Sequence, residues 1–461
     1  MNTRSGGEGP ALSAFRGPFG ELSGGVLAVH AHPDDETLST GGLLAAFAAA
    51  GLPARVVTCT RGERGEVIAL PGTTSEGRAG LEGDGPALGA YRETELARAL
   101  LALGGGVDGA VEQTFLDRLP QVSPQVTRVV GADSRPAAER DSGSADRQGP
   151  GPAADSAVAV RYEDSGMEWV APGVAGPAPD SPPTAFARVP LDEPAGRLAA
   201  LIRTTRPAVV ATYEPGGGYG HPDHVRAHEV TVRAVRLAAD PAWQPGGVGP
   251  ASQQGGVGPA SQQGGVAPAS QQGGVAPASR DGQRDGGEPV RGGGRGRGVG
   301  SRDEPWAGAE LWQLVAPAAE VRTARATLAG LPEATALAAT AGLTFADPAE
   351  DLPPFARDDL PERSAERQVT GSSGYRSPDE LPITSVGRRS GRSDGERVVR
   401  VDVGGVLGRV VAAMRAHATQ VQHATALARP EGPVAGWYAL SNGVLAPILT
   451  TETYAVVDPL A

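Results

Sequence analysis

The chain has little cysteine, no lysine and few aromatic residues. Of its 461 residues only Cys59 is a cysteine, which excludes an intramolecular disulfide bond and a metal cluster held by several thiolates. All 41 basic residues are arginine; acidic residues number 53, so the formal net charge is −12. This negative charge argues against nucleic acid as the main partner, because binding a phosphate backbone needs a positive surface.

Long apolar runs are also missing. No stretch reaches the roughly 20 apolar residues that a membrane-spanning helix needs. The N-terminal stretch MNTRSGGEGPALSAFRGPFG lacks the continuous apolar core of a signal peptide. We therefore expect a cytoplasmic protein with no membrane partner. Because glycine (67) and proline (41) are abundant and aromatic residues make up only 4%, we expect one ordinary core interrupted by flexible segments.

Three segments have the composition of insertions within a single domain that spans residues 1–461. Residues 132–159 are rich in Ser, Asp, Arg, Gly and Pro, and residues 355–397 are charged and rich in Ser, Gly and Arg. Residues 245–302 contain four near-copies of a nine-residue unit, the first being GGVGPASQQ. This period is too short for a helical or propeller repeat, and its composition is linker-like. We predict that all three are flexible insertions; for the repeats, a partner-binding tether is the alternative.

Elsewhere, short apolar segments alternate with amphipathic ones. Residues 25–29 are predicted to form a buried strand, and residues 54–60 a second strand after a helix at 43–50. A third strand, at 208–213, precedes a helix from about residue 222 to 239. Strands that alternate with helices are typical of βαβ units. The sequence therefore predicts an α/β fold with a mostly parallel sheet flanked by helices.

Five of the seven histidines lie in two short loops, each directly after a predicted strand. The first loop, HAHPDDETLSTGG, covers residues 30–42, and the second, EPGGGYGHPDHVRAH, covers residues 214–228. Loops that follow the carboxyl ends of parallel strands meet at one rim of the sheet, where ligands bind. We therefore expect the two loops to face each other.

Two facing loops of this composition suit a catalytic metal ion. A catalytic Zn²⁺ typically takes three ligands of the His and Asp/Glu type and keeps one position for water. His32 and Asp35 fit two of these ligands, and a histidine of the second loop fits the third. Asp34 is left free to act as general base toward a metal-bound water, whose pKa falls to roughly 7. The structural alternative is that the Asp-Asp-Glu run caps a helix and that His-Pro-Asp forms a turn.

The two loops resemble those of the LmbE-like, PIG-L-type deacetylases, through the stretches AHPDDE and GGYGHPDH. Membership implies a zinc-dependent N-acetylglucosamine deacetylase with a Rossmann-like fold, here with long disordered insertions. Other stretches are similar to the branch that removes the N-acetyl group from 1-D-myo-inositol 2-acetamido-2-deoxy-alpha-D-glucopyranoside in mycothiol biosynthesis: GERGEVI, YRETEL, DSGM, HATQV and ALSNGVLAPIL. The resemblance covers most of the chain outside the three insertions.

The resemblance also implies which residues bind the metal. It places the three ligands at His32, Asp35 and His224 and the general base at Asp34. The residues alone do not distinguish His224 from His221 or His228 as the third ligand. One Zn²⁺ per chain is implied, although a His-Asp-His donor set also suits Fe²⁺.

Further roles follow from the resemblance for residues around the metal. His221 is implied to assist the tetrahedral intermediate and the leaving amine, and Tyr219 to polarise the carbonyl or stabilise the oxyanion. Arg92 and Asp164 are implied to contact hydroxyl groups of the sugar and inositol. Asp223 has two alternatives: it orients a ligand histidine, or it caps the helix that follows.

Other functions are weighed against this hypothesis. Within the family, the alternatives are an amidase of mycothiol S-conjugates and another N-acetylglucosamine deacetylase. A non-catalytic metal- or sugar-binding protein belongs to a different class, and the intact Asp34 argues against it. A nucleotide-binding module is disfavoured because the first loop lacks a Gly-x-Gly-x-x-Gly phosphate-binding pattern. The expected partner is a small amino sugar, and the sequence carries no signal for an oligomeric state.

Overall fold

The structure is a computed structural model that describes residues 16–17, 20–122, 161–171, 174–245, 304–360, 383–386 and 397–459. The predicted insertion at 132–159 and all but the first residue of the one at 245–302 lie outside the described residues. Within the third predicted insertion, at 355–397, the structure describes two short pieces, 355–360 and 383–386, besides its last residue. The flexibility of these three segments stays a prediction.

The described residues form 17 strands and eight α-helices. The strands are β1 (Arg16–Gly17), β2 (Gly20–Glu21), β3 (Val26–His30), β4 (Ala54–Thr58), β5 (Glu112–Phe115), β6 (Met167–Ala171), β7 (Val174–Pro177), β8 (Val209–Tyr213), β9 (Glu310–Pro317), β10 (Thr344–Phe345), β11 (Ala356–Arg357), β12 (Ile383–Val386), β13 (Arg397–Asp402), β14 (Gln422–Glu431), β15 (Val434–Ala439), β16 (Val444–Leu449) and β17 (Thr451–Val457). The helices are α1 (Asp35–Ala49), α2 (Gly85–Leu103), α3 (Asp192–Thr205), α4 (Gly217–Gly220), α5 (Pro222–Ala239), α6 (Ala318–Gly330), α7 (Pro332–Ala341) and α8 (Leu407–Ala416).

A nine-stranded sheet forms the centre of the fold. Its strand order is β12-β13-β17-β9-β8-β3-β4-β5, and β11 pairs with β9 outside this path. Strands β9, β8, β3, β4 and β5 are parallel to one another, whereas β17, β13 and β12 continue the sheet in antiparallel pairs. Helices flank this mostly parallel sheet, which confirms the predicted α/β fold class.

The order of the parallel strands creates a topological switch point between β3 and β8. Strands β4 and β5 follow β3 on one side of the sheet, and β9 follows β8 on the other. In open α/β sheets, ligands bind at such a point, beyond the carboxyl ends of the strands. Strand β3 ends at His30 and β8 ends at Tyr213. Both histidine-containing loops therefore begin at the switch point.

Alternate side chains of β3 enter two different cores, because successive residues of a strand point to opposite faces. Val26 and Ala28 pack in the core that contains residues of α1, α2 and α8. Leu27 and Val29 pack in the core that contains residues of α3 and α5. All five residues of β3 are buried, as expected for a parallel strand covered by helices on both faces.

Helix α1 begins earlier than the sequence predicts. Residues 30–42 are expected to form a loop, but helical backbone begins at Asp35 and, after a kink at Thr40, continues past Gly42. Glycine is a poor helix former, yet a Cβ on Gly42 would lie 2.5 Å from Val403 Cγ1 and 2.8 Å from Glu452 Oε1. Close packing against distant parts of the chain therefore requires glycine at this position of the helix.

A smaller sheet of four strands, in the order β10-β16-β15-β14, lies in the C-terminal part of the chain. Side chains of α6 and α7 pack on it in a separate apolar cluster that includes Leu328, Ala334 and Trp437. Among the described helices, none combines the length and the apolar character that crossing a membrane would require.

Candidate metal and catalytic site

The three predicted metal ligands converge at the switch point. His32 Nδ1 lies 3.3 Å from His224 Nε2 and 3.4 Å from Asp35 Oδ2. The second carboxylate oxygen of Asp35 lies 3.4 Å from His224 Nε2. All three side chains are buried, although the two histidines are 192 residues apart in the chain. The fold thus brings together the donor atoms that the two loops were expected to combine.

The remaining nitrogen of each imidazole contacts an acceptor that fixes the ring. His224 Nδ1 lies 3.1 Å from the carbonyl oxygen of Gly217, and His32 Nε2 lies 3.3 Å from Asp223 Oδ2. These acceptors require protonated nitrogens, so the lone pairs of His32 Nδ1 and His224 Nε2 face the same point. Two nitrogen lone pairs and a carboxylate around one point form a donor set that a single cation can bind. This donor set fits a divalent metal ion such as Zn²⁺.

Asp223 connects His32 to the DSGM stretch. Besides the contact with His32, its Oδ2 accepts the backbone N–H of Ser165 at 2.8 Å, and its Oδ1 accepts the Ser165 hydroxyl. The carboxylate is fully buried. Of the two alternatives for Asp223, these contacts favour orientation of a ligand histidine. The sequence did not single out Ser165, although it lies in a stretch that carries the family resemblance.

His221 lies against both His32 and His224. Its ring centroid is 4.6 Å from that of His32 and 4.9 Å from that of His224. Its Nδ1 accepts the backbone N–H of Asp223 at 3.1 Å, so the proton of the neutral ring is on Nε2. Burial, together with His32 and His224, lowers the pKa of His221 well below its ordinary value. The residue is therefore a neutral side chain with one N–H to donate.

Asp34 is held in an uncommon backbone conformation. Its φ is 117°, which is strained for a residue other than glycine. Glu36 Oε2 accepts its backbone N–H at 2.9 Å. Its Oδ2 lies 3.3 Å from Arg92 Nη2, and Arg92 also donates to the carbonyl oxygens of Gly62 and Pro33. Burial raises the pKa of Asp34 to about 6, against the lowering effect of Arg92.

Asp164 and Arg92, the two predicted substrate contacts, occupy different surroundings. Asp164 Oδ1 lies 3.7 Å from His32 Nε2, and the residue lines a polar cleft of about 570 Å³. Arg92 is buried against the loop that carries Asp34. The structure thus brings both residues to the site, and the contact of each with a substrate stays a prediction.

The ring of Tyr219 packs against the ring of His224. The centroids of the two rings are 5.0 Å apart, and the Tyr219 ring also packs against Trp169, at 5.8 Å. Burial, with Asp35 and Asp34 nearby, raises the pKa of the Tyr219 phenol well above its ordinary value. The phenol therefore keeps its proton and is able to donate a hydrogen bond.

A buried pair of side chains, Glu36 and His417, lies next to the backbone of Asp34. Glu36, which accepts the N–H of Asp34, also contacts His417 from the C-terminal part of the chain. The sequence did not place either residue in the site. His417 begins the HATQV stretch, which is the signal that pointed to this region of the chain.

Comparisons with known proteins add to this geometry. The model of the PIG-L family, described as GlcNAc-PI de-N-acetylase, matches residues 27–235. A protein of Kineococcus radiotolerans named 1D-myo-inositol 2-acetamido-2-deoxy-alpha-D-glucopyranoside deacetylase is 32% identical, over 95% of this chain and 78% of that protein.

Two further relatives match a shorter part of the chain. A protein from Saccharopolyspora erythraea, named 1D-myo-inositol 2-acetamido-2-deoxy-alpha-D-glucopyranoside deacetylase 1, is 41% identical over 47% of this chain and 54% of its own length. A protein from Streptomyces avermitilis, which has the same name without the final numeral, is 39% identical over 48% of this chain and 55% of its own length. The matched part of the chain thus spans about half the length of these two relatives.

Proposed function

This chain belongs to the PIG-L family, and we propose that it is a metal-dependent hydrolase of N-acetyl amino sugars. The proposed substrate is 1D-myo-inositol 2-acetamido-2-deoxy-alpha-D-glucopyranoside, whose deacetylation is a step of mycothiol biosynthesis. One observation carries the proposal: donor atoms of His32, Asp35 and His224 lie within 3.4 Å of one another, beside Asp34. The names of the similar proteins supply the substrate.

The same three residues would hold one metal ion per chain. We propose Zn²⁺, and Fe²⁺ suits the same donors. When bound, the ion supplies Lewis-acid activation of water and of the amide carbonyl. Asp223 and the carbonyl oxygen of Gly217 hold the imidazoles of His32 and His224 in the orientation that binding requires.

Four side chains then contribute to the proposed reaction. Asp34, oriented by Arg92, takes a proton as the oxygen of water adds to the acetyl carbonyl carbon. Tyr219 donates a hydrogen bond to the developing oxyanion, a kind of interaction worth about 3 kcal/mol in other hydrolases. Asp34 then passes this proton to the amide nitrogen as the C–N bond breaks, and the Nε2–H of His221 assists by donating a hydrogen bond to the tetrahedral intermediate. Acetate and the free amine are the products.

Acetate release tests this function directly. The substrate is incubated with wild-type protein, metal-free or loaded with Zn²⁺, and with loaded Asp34→Ala. We expect release only from the loaded wild type, with Asp34→Ala still binding the metal. Asp108→Asn, at an exposed position, is the control and should match the wild type.

A mycothiol S-conjugate assayed in parallel distinguishes the related amidase. Cleavage of the conjugate alone would move the protein to that function with the same site. Metal binding without cleavage of either compound would contradict the proposed hydrolase.

A further inference from the structure

We propose that an apolar cavity beside the metal site binds the acyl group of the substrate and admits N-acyl chains longer than acetyl. The cavity has a volume of about 250 Å³, and Asp35, Tyr219 and His224 form one of its walls. This inference rests on the amide hydrolysis proposed above, and it extends the range of substrates from N-acetyl to longer N-acyl amino sugars.

The candidate metal site separates two spaces of different chemistry. On the side of His32 Nε2, Asp164 borders the polar cleft. The other charged residues that line this cleft include Glu63, Glu66, Glu82, Arg161 and Glu163. On the side of His32 Nδ1, Asp35 and His224 border the apolar cavity. A hydroxyl-rich sugar fits the cleft, so an amide bond placed at the metal site directs its acyl group into the cavity.

The remaining walls of the cavity suit an apolar occupant. They include the side chains of Leu38, Leu314, Val410, Met414, Leu440 and Ile448. Two further carboxylates on the walls already have backbone partners. Glu452 accepts the N–H of Leu43 at 2.9 Å, and Glu214 accepts the N–H of Gly218 at 2.7 Å. Both carboxyl groups therefore already have hydrogen-bond partners within the protein.

The volume of the cavity exceeds what an acetyl methyl group needs. An apolar cavity of about 150 Å³ is large enough to hold benzene, so one of about 250 Å³ has room for roughly eight to ten carbon atoms. Each methylene that moves from water into apolar surroundings favours binding about fourfold. A longer acyl chain should therefore strengthen substrate binding until the cavity is full.

The bond chemistry is the same for acetyl and for longer chains. The oxygen of water bonds to the acyl carbon, the C–N bond breaks, and the nitrogen leaves with a proton as the free amine. The second product is the alkyl carboxylate that corresponds to the acyl chain, in place of acetate.

The kinetic test uses glucosaminyl-inositol acylated on nitrogen with chains of different length. We expect kcat/KM to rise at least tenfold between the two-carbon and eight-carbon acyl groups, and to stop rising at twelve carbons. Leu314→Trp on β9 and Leu440→Trp at the end of β15 narrow the cavity and should abolish the rise in kcat/KM from the two-carbon to the eight-carbon acyl group. Leu101→Trp, at an exposed position of α2 outside the cavity, is the matched control.

Calorimetry with metal-free protein separates this inference from the proposed function. N-octanoylglucosamine should bind at least tenfold more tightly than N-acetylglucosamine, and Leu440→Trp should remove the difference. If the acetyl substrate is cleaved but longer chains are neither cleaved nor bound, the acyl site is wrong and the deacetylase function stands. If no amide is cleaved but the octanoyl compound binds with the expected preference, the acyl site is supported and the proposed reaction is wrong.

Discussion

His417 Nε2 lies 2.7 Å from Glu36 Oε1, and both side chains are fully buried. Burial raises the pKa of Glu36, but His417 more than offsets this and leaves the pKa below its ordinary value. The pKa of His417 is raised by Glu36, against the effect of burial. Both shifts favour the charged form of each partner. It connects the end of α8 to the backbone of Asp34, whose N–H is bound to Glu36.

We expect His417→Ala to lower the free energy of unfolding by about 3–5 kcal/mol, because it leaves Glu36 buried without its partner. Denaturant unfolding measures this change. Adding Glu36→Gln to His417→Ala should recover part of the loss, since no uncompensated charge then remains. His423→Asn, at a half-buried histidine nearby, is the control and should cost less than about 1 kcal/mol. A similar stability of His417→Ala and wild type would contradict a charged pair.

Arg92 is expected to act on Asp34 more than on the sugar. Its guanidinium reaches the Asp34 carboxylate and the carbonyl oxygens of Gly62 and Pro33, a fixed fork that lysine does not reproduce. Arg92→Lys should therefore lower kcat by about 100-fold, the cost of a base displaced by about 1 Å, and change KM less than threefold. Steady-state kinetics checks this, with the exposed Arg98→Lys as control. A higher KM at unchanged kcat would instead support a direct substrate contact.

Asp223→Asn tests the orientation of His32. Replacing a carboxylate that holds a ligand histidine typically weakens metal binding by about 10- to 100-fold, and we expect this loss in competition with a chelator. Asp192→Asn is the matched control, because Asp192 also lies in the first turn of a helix but is exposed. If both variants bind Zn²⁺ as tightly as the wild type, Asp223 caps its helix and does not orient His32 for metal binding.

The local parts of this fold and site were predictable from the sequence. The strands before each histidine-containing loop are recognisable because they are short apolar runs rich in β-branched residues. Parallel strands place the following loops at one rim, and this was enough to bring His32 and Asp35 together with the second loop. The family resemblance implies His224 as the third ligand; His224 Nε2 lies 3.3 Å from His32 Nδ1, and its role as a ligand stays a prediction.

Features that depend on distant contacts were not predictable. Gly42 lies within helix α1, where Val403 and Glu452 leave no room for a Cβ, whereas local propensity predicts a loop. The pair of Glu36 and His417 joins residues 381 positions apart. The apolar cavity was not predictable for the same reason. In the sequence its wall residues look like ordinary core residues, and only the folded structure shows the space between them.

Glu452 provides a prediction about pH that is independent of the metal. Its carboxylate accepts hydrogen bonds from the backbone N–H groups of Gly42 and Leu43 and from the Tyr454 hydroxyl. Burial nevertheless raises its pKa from 4.5 to about 7. In the unfolded chain this carboxyl group loses its proton near pH 4.5, whereas in the folded protein it does so near pH 7. Between these values the folded state holds the additional proton.

The stabilisation from Glu452 is therefore complete below pH 4.5 and is lost as the pH rises through about 7. The two pKa values correspond to a loss of about 3 kcal/mol in the free energy of unfolding over this range. The Glu452→Gln variant has no ionisable group at this position. Its free energy of unfolding should therefore fall by about 3 kcal/mol less than that of the wild type over the same pH range. Denaturant unfolding of both proteins at several pH values between 4 and 8 measures the difference. Parallel pH profiles would show that Glu452 is already ionised in the folded protein at pH 5.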